Sequence, residues 1–437
     1  MYRMLMDKLI EWKENPDKKP LILQGVRQCG KTYLLKEFGS RCYDDVAYYN
    51  FDDDPGVDDY FAQNLKPHRI VEEMSVKRGR TIKPGKTLII FDEVQISGKA
   101  LRSLKYFCED APEYHVIAAG SLLGVAISKD YSFPVGKVQF LTLRPMNFKE
   151  FLIAGGNTSW CERIESGQNY SFLKADLENL YRQFLFVGGM PKVVQSWLDT
   201  KEVEKVDEIQ KEIIMSYEND FAKYAPISYF PKLSAIWNAI PSQLAKENRK
   251  FIFSQVKKSW RAKDLEDALE WLLRAGLVYK VENIEKPYFP LSAYANHTYF
   301  KLYMSDTGLL RRTANLPASV LFDKTDNYKE FKGAMAENFV CCELKKIYDE
   351  NIYYWTAEGA GKAEVDFIVQ ADADIIPIEV KAGTASRARS LGEYRKKFNP
   401  AKSVLTSLDH DKEHILPLYA FWNFRNWVKM SHADDNE

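Results

Sequence analysis

The first third of the chain alternates short apolar runs with segments in which apolar residues recur at helical spacing. The apolar runs are rich in Leu, Ile, Val and aromatic residues and have the length of strands that are buried on both faces of a sheet. Because helical segments separate these runs, the pattern predicts a parallel sheet with helices on both faces. The predicted strands are residues 21–24, 46–51, 87–91, 116–119 and 138–143.

The middle of the chain has a different pattern. Over residues 147–230 the strand-like runs are absent, and residues such as Leu177, Tyr181 and Phe184 recur at helical spacing, which predicts a helical segment. Over residues 231–310 short helices precede two short apolar runs. Helices followed by a pair of strands predict a winged-helix-like unit.

The last quarter returns to strands and helices. A predicted helix at residues 334–347 is followed by apolar runs at 352–355, 365–369, 375–380 and 403–406, which indicates a second α/β domain. The chain has no linker of low complexity, so the domain boundaries follow from changes of pattern alone. The predicted domains are residues 1–150, 151–230, 231–315 and 316–437.

Composition and charge narrow the classes of protein to consider. Hydrophobic residues make up 46% of the chain and aromatic residues 14%, which excludes a disordered or collagenous chain. The 61 Lys and Arg residues equal the 61 Asp and Glu residues, so no global basic field attracts nucleic acid or a membrane. The six cysteines form no disulfide or metal pattern, and no apolar stretch is long enough for a membrane helix. We therefore expect a cytoplasmic protein without a membrane partner.

A phosphate-binding motif follows the first predicted strand and precedes a predicted helix. In such a loop backbone N–H groups turn inward around phosphates, and the helix N-terminus adds its dipole. We expect Lys31 to contact the β- and γ-phosphates of ATP and the Thr32 hydroxyl to bind Mg²⁺. The alternative is a strand-turn-helix connection without a ligand. The residues that match GxxxxGK[ST] are Gly25, Val26, Arg27, Gln28, Cys29, Gly30, Lys31 and Thr32.

A second motif ends the predicted strand at residues 87–91. Asp92 and Glu93 follow four apolar β-formers, and the carboxyl ends of parallel strands form the ligand-binding edge of such a sheet. We expect Asp92 to hold Mg²⁺ and Glu93 to polarise the attacking water. Ser121 ends the next strand and is a candidate sensor of the γ-phosphate, with an ordinary Gly-Ser turn as the alternative. Arg144 is the candidate arginine finger, with a surface arginine as the alternative.

With these motifs the chain resembles bacterial and archaeal AAA-type ATP-binding proteins that carry a C-terminal domain of unknown function. The resemblance implies a P-loop ATPase followed by helical, winged-helix-like and nuclease-like parts. It departs from the family pattern at Gly136-Lys137, where a Gly-Arg is common, and this leaves no arginine finger at that position. Besides the phosphate loop, the resemblance covers FDEVQ at 91–95, GS at 120–121, LRPMNFKEF at 143–151, GGMP at 188–191 and DTGLL at 306–310.

The last quarter places charged residues where the pattern predicts burial. Glu337 lies on an apolar helical stripe, Asp366 lies within an apolar strand, and Glu379 and Lys381 share one face of the next strand. Three carboxylates from a helix and two strands predict a site for Mg²⁺ or Mn²⁺, with Lys381 orienting water or stabilising a phosphate. The arrangement looks like the PD-(D/E)xK restriction-endonuclease fold, which matches at Asp366, Glu379 and Lys381. The alternative is a cluster of ion pairs.

These features predict a Mg²⁺-dependent ATPase coupled to a nuclease-fold domain that contacts DNA or another nucleic acid, and they make this domain a candidate metal-dependent nuclease. Two alternatives stay open. In the first, the protein is an ATP-driven switch whose C-terminal domain only binds DNA or a protein. In the second, it is a chaperone-like or signalling ATPase without a nucleic-acid partner. The sequence leaves the oligomeric state open.

Overall fold

The computed structural model describes most of the chain and divides it into two compact units. The first unit contains residues 1–144 and 274–276, and the second contains residues 145–273 and 277–437. Within these units the described residues are 1–121, 136–246, 250–322, 329–357, 363–371, 373–384, 388–409 and 415–430.

The first unit is built on a five-stranded parallel sheet in the order β2-β3-β4-β1-β5. This confirms the predicted strands and their parallel arrangement. The strands are β1 (Leu21–Gln24), β2 (Asp45–Asn50), β3 (Thr87–Asp92), β4 (His115–Gly120) and β5 (Gln139–Thr142). The helices are α1 (Leu5–Glu14), α2 (Lys31–Cys42), α3 (Pro67–Lys77) and α4 (Gly98–Asp110), with 3₁₀ turns at Pro55–Phe61 and Val94–Ile96.

The strand order explains where a ligand can be bound. The apolar residues of β3 are fully buried, and Phe91 contacts the rings of Phe61 and Phe107 in the core beside the sheet. Strand β1 lies between β4 and β5, and the central strand β4 also pairs with β3. Because all these strands are parallel, the loops that follow β1, β3 and β4 leave the same edge of the sheet.

The second unit begins with helices, as predicted for residues 147–230. The first of them starts with a capping box, in which Asn147 and Glu150 exchange side-chain and backbone hydrogen bonds. No helix in the described ranges is long and apolar enough to cross a membrane. The helices are α5 (Phe148–Ala154), α6 (Thr158–Glu165), α7 (Lys174–Val187), α8 (Pro191–Thr200), α9 (Val203–Tyr224), α10 (Phe230–Leu244), α11 (Phe253–Val256) and α12 (Ala262–Arg274), with a 3₁₀ turn at Ser171–Leu173.

The rest of the second unit contains a seven-stranded mixed sheet in the order β12-β11-β10-β9-β8-β6-β7. Its strands are β6 (Val278–Ile284), β7 (Ala295–Met304), β8 (Tyr353–Thr356), β9 (Glu364–Ala371), β10 (Asp374–Val380), β11 (Val404–Ser407) and β12 (Ile415–Pro417). Its helices are α13 (Thr307–Thr313), α14 (Ala318–Phe322), α15 (Lys329–Ile347), α16 (Arg389–Phe398) and α17 (Phe424–Met430), with 3₁₀ turns at Leu291–Tyr294 and Leu418–Asn423.

The two strands predicted as a separate wing belong to this larger sheet. They pair with each other in antiparallel fashion, as a wing would, but β6 also pairs in parallel with β8. An exposed strand edge carries unpaired N–H and C=O groups, and pairing with β8 satisfies those of β6. Strands from both sides of the predicted boundary at residue 315 therefore form one sheet. The three-residue strand β12 was not predicted.

Candidate functional site

The loop between β1 and α2 is closely packed and holds a buried lysine. A Cβ atom at Gly25 would lie 2.2 Å from the carbonyl oxygen of Leu143, so only glycine fits there. Gly30 precedes α2 with a φ of 93°, in the left-handed region that favours glycine. The Nζ atom of Lys31 donates hydrogen bonds to the carbonyl oxygens of Gly25 at 2.9 Å and of Val26 at 3.0 Å. The ammonium group is thus held within the loop.

Asp92, at the end of β3, joins this loop to its neighbours. Its Oδ2 atom accepts hydrogen bonds from the Thr32 hydroxyl at 2.6 Å and from the Tyr48 hydroxyl at 2.8 Å. Its Oδ1 atom accepts from the backbone N–H of Glu93 at 3.0 Å. The structure therefore brings Thr32 and Asp92 into direct contact. Hydroxyl and carboxylate oxygens are the hard donors that Mg²⁺ prefers, so these two residues fit such an ion.

Glu93 follows in a backbone conformation that is uncommon for a residue with a side chain. Its φ of 53° lies in the left-handed region. Its Oε2 atom accepts hydrogen bonds from Gln95 Nε2 at 2.5 Å and from Ser121 Oγ at 3.3 Å. The turn after β3 and the end of β4 thus place Glu93 and Ser121 side by side, at the same sheet edge as the loop.

Two further residues at this site were missed by the sequence analysis. Tyr48 lies in β2, and its pKa is raised by burial and by the charge of Asp92, so its hydroxyl stays protonated and donates to Asp92. Arg3 is buried, and its guanidinium donates to the carbonyl oxygens of Cys29 at 2.7 Å and of Arg144 at 2.5 Å. Arg3 thereby ties the loop to the segment after β5. Its position in the sequence carries no signal of this role, because its partners are remote.

The residues considered for an arginine finger have other observed contacts. The backbone carbonyl of Arg144 accepts the hydrogen bond from Arg3, and the finger role of its side chain stays a prediction. Lys137 forms an ion pair with Glu109 at 2.9 Å. This ion pair gives Lys137 a local structural partner.

The second unit buries the three predicted carboxylates. Glu337 on α15, Asp366 on β9 and Glu379 on β10 are 1%, 5% and 3% exposed. Asp366 Oδ2 accepts the backbone N–H of Val380 at 2.8 Å, which links the two adjacent strands. Lys381 Nζ donates to Glu379 Oε1 at 2.6 Å. The helix and the two strands thus each place one of these carboxylates in the interior of the second unit.

The carboxyl group of Glu379 has a raised pKa. Burial, followed by the negative charge of Asp366, raises the pKa of Glu379 to about 7, and the charges of Lys381 and Lys301 oppose that rise. Its Oε2 atom is buried and has no hydrogen-bond partner among the described residues. A carboxylate oxygen without a partner, beside a second carboxylate, is the kind of donor that a divalent cation engages. Asp366 and Glu379 therefore fit such an ion.

Glu337 has different surroundings. Tyr303 donates its hydroxyl to Glu337 Oε2 at 3.1 Å, and Lys301 Nζ lies 3.8 Å from the same oxygen. No group of three or more His, Cys, Asp or Glu side chains in the described ranges is arranged to hold a metal ion. The metal predicted at Glu337, Asp366 and Glu379 together therefore stays a prediction. Lys301 was missed, although a lysine inside an apolar run is a sign of a buried charge.

Three of the motifs that carry the family resemblance meet elsewhere in the second unit. Asp306 accepts the backbone N–H groups of Gly189 at 2.6 Å and of Leu309 at 2.9 Å, and burial raises its pKa to about 6. A Cβ atom at Gly189 would lie 2.0 Å from the carbonyl oxygen of Met146. These contacts give the LRPMNFKEF, GGMP and DTGLL segments a packing role.

Comparison with known protein families matches different parts of the chain to different family models. Residues 17–152 match the family model described as an AAA domain. This match supports a P-loop ATPase family for the N-terminal part. Residues 178–320 and 332–421 match two models that are each described as a domain of unknown function (DUF8612 and DUF4143). No curated protein matches the chain significantly.

Several solved structures match the chain at low identity and low TM-score. The Orc1 protein of Aeropyrum pernix, solved in complex with DNA, is 11% identical, with 73% of this chain and 92% of that chain covered and a TM-score of 0.29. AMPPCP-bound DnaA from Aquifex aeolicus is 17% identical, with 61% and 75% covered and a TM-score of 0.24. Cdc6p from Pyrobaculum aerophilum is 12% identical, with 72% and 91% covered and a TM-score of 0.24.

Proposed function

We propose that this protein binds and hydrolyses ATP with Mg²⁺ at the carboxyl edge of its parallel sheet. The observation that carries the proposal is the meeting of four side chains from three elements. Lys31 lies inside the loop, Thr32 contacts Asp92 at 2.6 Å, and Glu93 begins the turn after the same strand. A chance GxxxxGKT match would have no reason to contact a carboxylate at the end of β3, a strand that β4 separates from β1 in the sheet.

The roles of these residues follow from their positions. The backbone N–H groups of the loop at residues 25–30 would surround the phosphates, and Lys31 would exchange its carbonyl partners for the β- and γ-phosphates. Thr32 and Asp92 would hold Mg²⁺. When bound, that ion neutralises charge on the phosphate oxygens. Glu93 would orient the attacking water and accept its proton.

Ser121 and Arg3 would act as positioning residues in this scheme. Ser121 donates to Glu93 Oε2 and, at the end of β4, is placed to relate the state of the γ-phosphate to the orientation of Glu93. Arg3 holds the back of the loop through Cys29. A loop that is held in place has less conformational entropy to lose when ATP binds.

We further propose that the second unit contacts DNA or another nucleic acid and responds to the nucleotide state, as an ATP-driven switch. Its C-terminal part has the helix and strand carboxylates expected of the PD-(D/E)xK fold, which acts on nucleic acids. The predicted boundaries at residues 150, 230 and 315 are kept as part of this proposal. A cytoplasmic location is supported by the cysteines, which are all free thiols.

A metal-dependent nuclease is the second candidate, and one observation favours it. Glu379 combines a raised pKa of about 7 with an oxygen that has no hydrogen-bond partner, and it lies beside Asp366 and Lys381. In this scheme Asp366 and Glu379 would hold Mg²⁺ or Mn²⁺. Lys381 would stabilise the charge that develops on the attacked phosphate.

One experiment separates these possibilities. The purified chain is incubated with ATP, with Mg²⁺ or Mn²⁺, and with labelled single- and double-stranded DNA and RNA, and both ATP hydrolysis and the fate of the nucleic acid are measured. Salt-dependent binding without cleavage is the expected result for a switch. Cleavage by the wild type that is lost in Lys381→Ala would support the nuclease instead. Hydrolysis of ATP without any nucleic-acid binding would support a chaperone-like or signalling ATPase.

A further inference from the structure

The carboxylate cluster of the second unit contains a fully buried lysine that is not part of the predicted motif. The side chain of Lys301, on β7, is 0% exposed. Its Nζ atom lies 2.5 Å from Glu364 Oε1 and 3.8 Å from Glu337 Oε2. It also lies 4.9 Å from the centre of the Tyr354 ring. The ammonium group is therefore enclosed by two carboxylates and an aromatic face.

This environment pairs the buried ammonium group with carboxylates. An ammonium group without partners is costly to bury, and so is a carboxylate. Glu337 is 1% exposed, and the Tyr303 hydroxyl donates to its Oε2 atom at 3.1 Å. Lys301 supplies a positive charge 3.8 Å from the same buried oxygen.

We propose that Lys301 is the resident cation of this cluster and that it withdraws Glu337 from metal binding. A divalent ion beside Glu337 would have to approach a fixed ammonium charge. The part of the cluster able to take a metal is then the pair Asp366 and Glu379, which is two protein ligands instead of the predicted three. This inference rests on the proposed nuclease-like C-terminal part and changes which of its residues bind an ion.

A consequence for the ligand follows from this arrangement. Mg²⁺ is commonly held by one or two carboxylates together with oxygens of a phosphate substrate. A site of two carboxylates should therefore bind the ion weakly by itself. It should bind more tightly when a phosphodiester supplies the remaining oxygens.

The test is a titration of Mn²⁺ into the full-length chain without nucleotide, followed by calorimetry. Asp92→Asn is present in every sample, so that the first unit contributes no ligand from that position. Lys301→Met keeps the length of the side chain and removes its charge. We expect the chain with Asp92→Asn and Lys301→Met to bind Mn²⁺ at least about 10-fold more tightly than the chain with Asp92→Asn alone. Adding Glu337→Gln to the Lys301→Met chain should cancel that gain.

A matched control is Lys280→Met, on the neighbouring strand β6. Lys280 forms an ion pair with Glu282 at 2.6 Å, but its side chain is 27% exposed. This substitution removes the same charge from an adjacent strand and should leave Mn²⁺ binding unchanged. An equal gain in both variants would mean that net charge, and not the position of Lys301, controls the binding, and would overturn the proposal.

A second comparison does not depend on the folding of the Lys301 variant. When Lys301 is present, Glu337→Gln should leave Mn²⁺ binding unchanged. It should lower the midpoint temperature of thermal unfolding, because the buried ammonium group of Lys301 loses a charged partner. Asp366→Asn with Glu379→Gln should remove the Mn²⁺ binding.

Three results would overturn the proposal: Glu337→Gln weakens Mn²⁺ binding as much as Asp366→Asn does, Glu337→Gln leaves the midpoint unchanged, or a folded Lys301→Met chain shows no gain. The nucleic-acid assay is separate from this titration. A failure of the proposed function would therefore appear in the nucleic-acid assay, and a failure of the Lys301 proposal would appear in the Mn²⁺ titration.

Discussion

The nucleotide site and the carboxylate cluster of the second unit both contain buried acidic side chains, yet they balance the negative charge differently. In the nucleotide site Asp92 accepts hydrogen bonds from neutral groups, namely two hydroxyls and a backbone N–H. In the cluster Glu379 and Glu337 lie beside the ammonium groups of Lys381 and Lys301. Neutral donors orient a carboxylate and leave its charge available to a cation, whereas the buried ammonium group of Lys301 offsets the charge of Glu337. The side chain of Lys381 is 39% exposed and is not enclosed in this way.

The comparison teaches that an acidic motif does not by itself define a metal site. What matters is which positive charge lies closest to the carboxylates in the fold. At the nucleotide site the nearby Lys31 is hydrogen-bonded to the carbonyl oxygens of Gly25 and Val26, and Asp92 contacts Thr32. In the cluster the lysines contact the carboxylates directly. The following predictions test this difference, from the largest expected effect to the smallest.

The largest effect is expected for Lys31→Ala. This substitution removes the charge-assisted hydrogen bonds to the β- and γ-phosphates, each worth about 1.5 to 3 kcal/mol, so ATP should bind about 100-fold more weakly or not at all. The measurement is equilibrium binding of a fluorescent ATP analogue. Lys8→Ala, at an exposed position of α1, is the control and should bind normally. Wild-type affinity in Lys31→Ala would rule out the proposed phosphate contact.

The second effect is a slower hydrolysis of ATP with unchanged binding of ATP. Glu93→Gln keeps the shape of the side chain but removes the base, so hydrolysis should slow on the order of 100-fold while ATP affinity stays the same. Ser121→Ala should slow hydrolysis less, because it removes only a hydrogen bond to Glu93 Oε2. Steady-state phosphate release and analogue binding are measured on both variants. Equal turnover by Glu93→Gln and the wild type would show that Glu93 is not the base.

The third effect concerns the pH dependence of stability in the carboxylate cluster. The pKa of Glu379 is raised to about 7 in the folded chain, so the folded state binds a proton that the unfolded state releases above about pH 4.5. The contribution of Glu379 to stability is therefore full below pH 4.5 and is lost as the pH rises to 7. Glu379→Gln stays neutral, so relative to the wild type it should gain on the order of 3 kcal/mol between pH 4 and pH 8.

Denaturant unfolding of both proteins across this pH range measures that difference. Burial also raises the pKa values of Asp306, to about 6, and of Glu343, to about 7, so the stability of the wild type depends on pH for several reasons. Only the difference between variant and wild type isolates Glu379. Glu266→Gln, exposed on α12, is the control and should follow the wild type. If the free energies of unfolding of Glu379→Gln and the wild type differed by the same amount at all pH values, the raised pKa of Glu379 would be contradicted.

The smallest effect is expected for Arg3→Met. Arg3 holds the phosphate loop through the carbonyl oxygen of Cys29 and contacts no phosphate in the proposed scheme, so its loss should weaken ATP binding only about 5-fold. Arg41→Met, which breaks an exposed ion pair with Glu37 on α2, is the control. A loss as large as that of Lys31→Ala would mean that Arg3 does more than position the loop.

Some features of the two sites were predictable because their physical causes are local. Four apolar residues followed by Asp92 and Glu93 predict a buried strand that ends at a ligand, and the glycine spacing of the loop predicts its turn. The pairing of β6 with β8 was not predictable, because nothing in the residues of β6 indicates which strand satisfies its second edge. For this reason the sequence did not indicate that the strands of the predicted wing pair with the C-terminal strands.

By itself, the sequence determined the strands of the parallel sheet, the phosphate loop and the carboxylates that face the interior of each unit. These depend on periodicity, on glycine conformations and on the cost of burying charge, which act over a few neighbouring residues. Only the tertiary structure decided which groups balance those charges. Arg3 reaches Cys29, Tyr48 reaches Asp92, and Lys301 reaches Glu337 across sequence separations that carry no periodic signal. Electrostatic partners are selected by distance in space, and that distance exists only once the chain has folded.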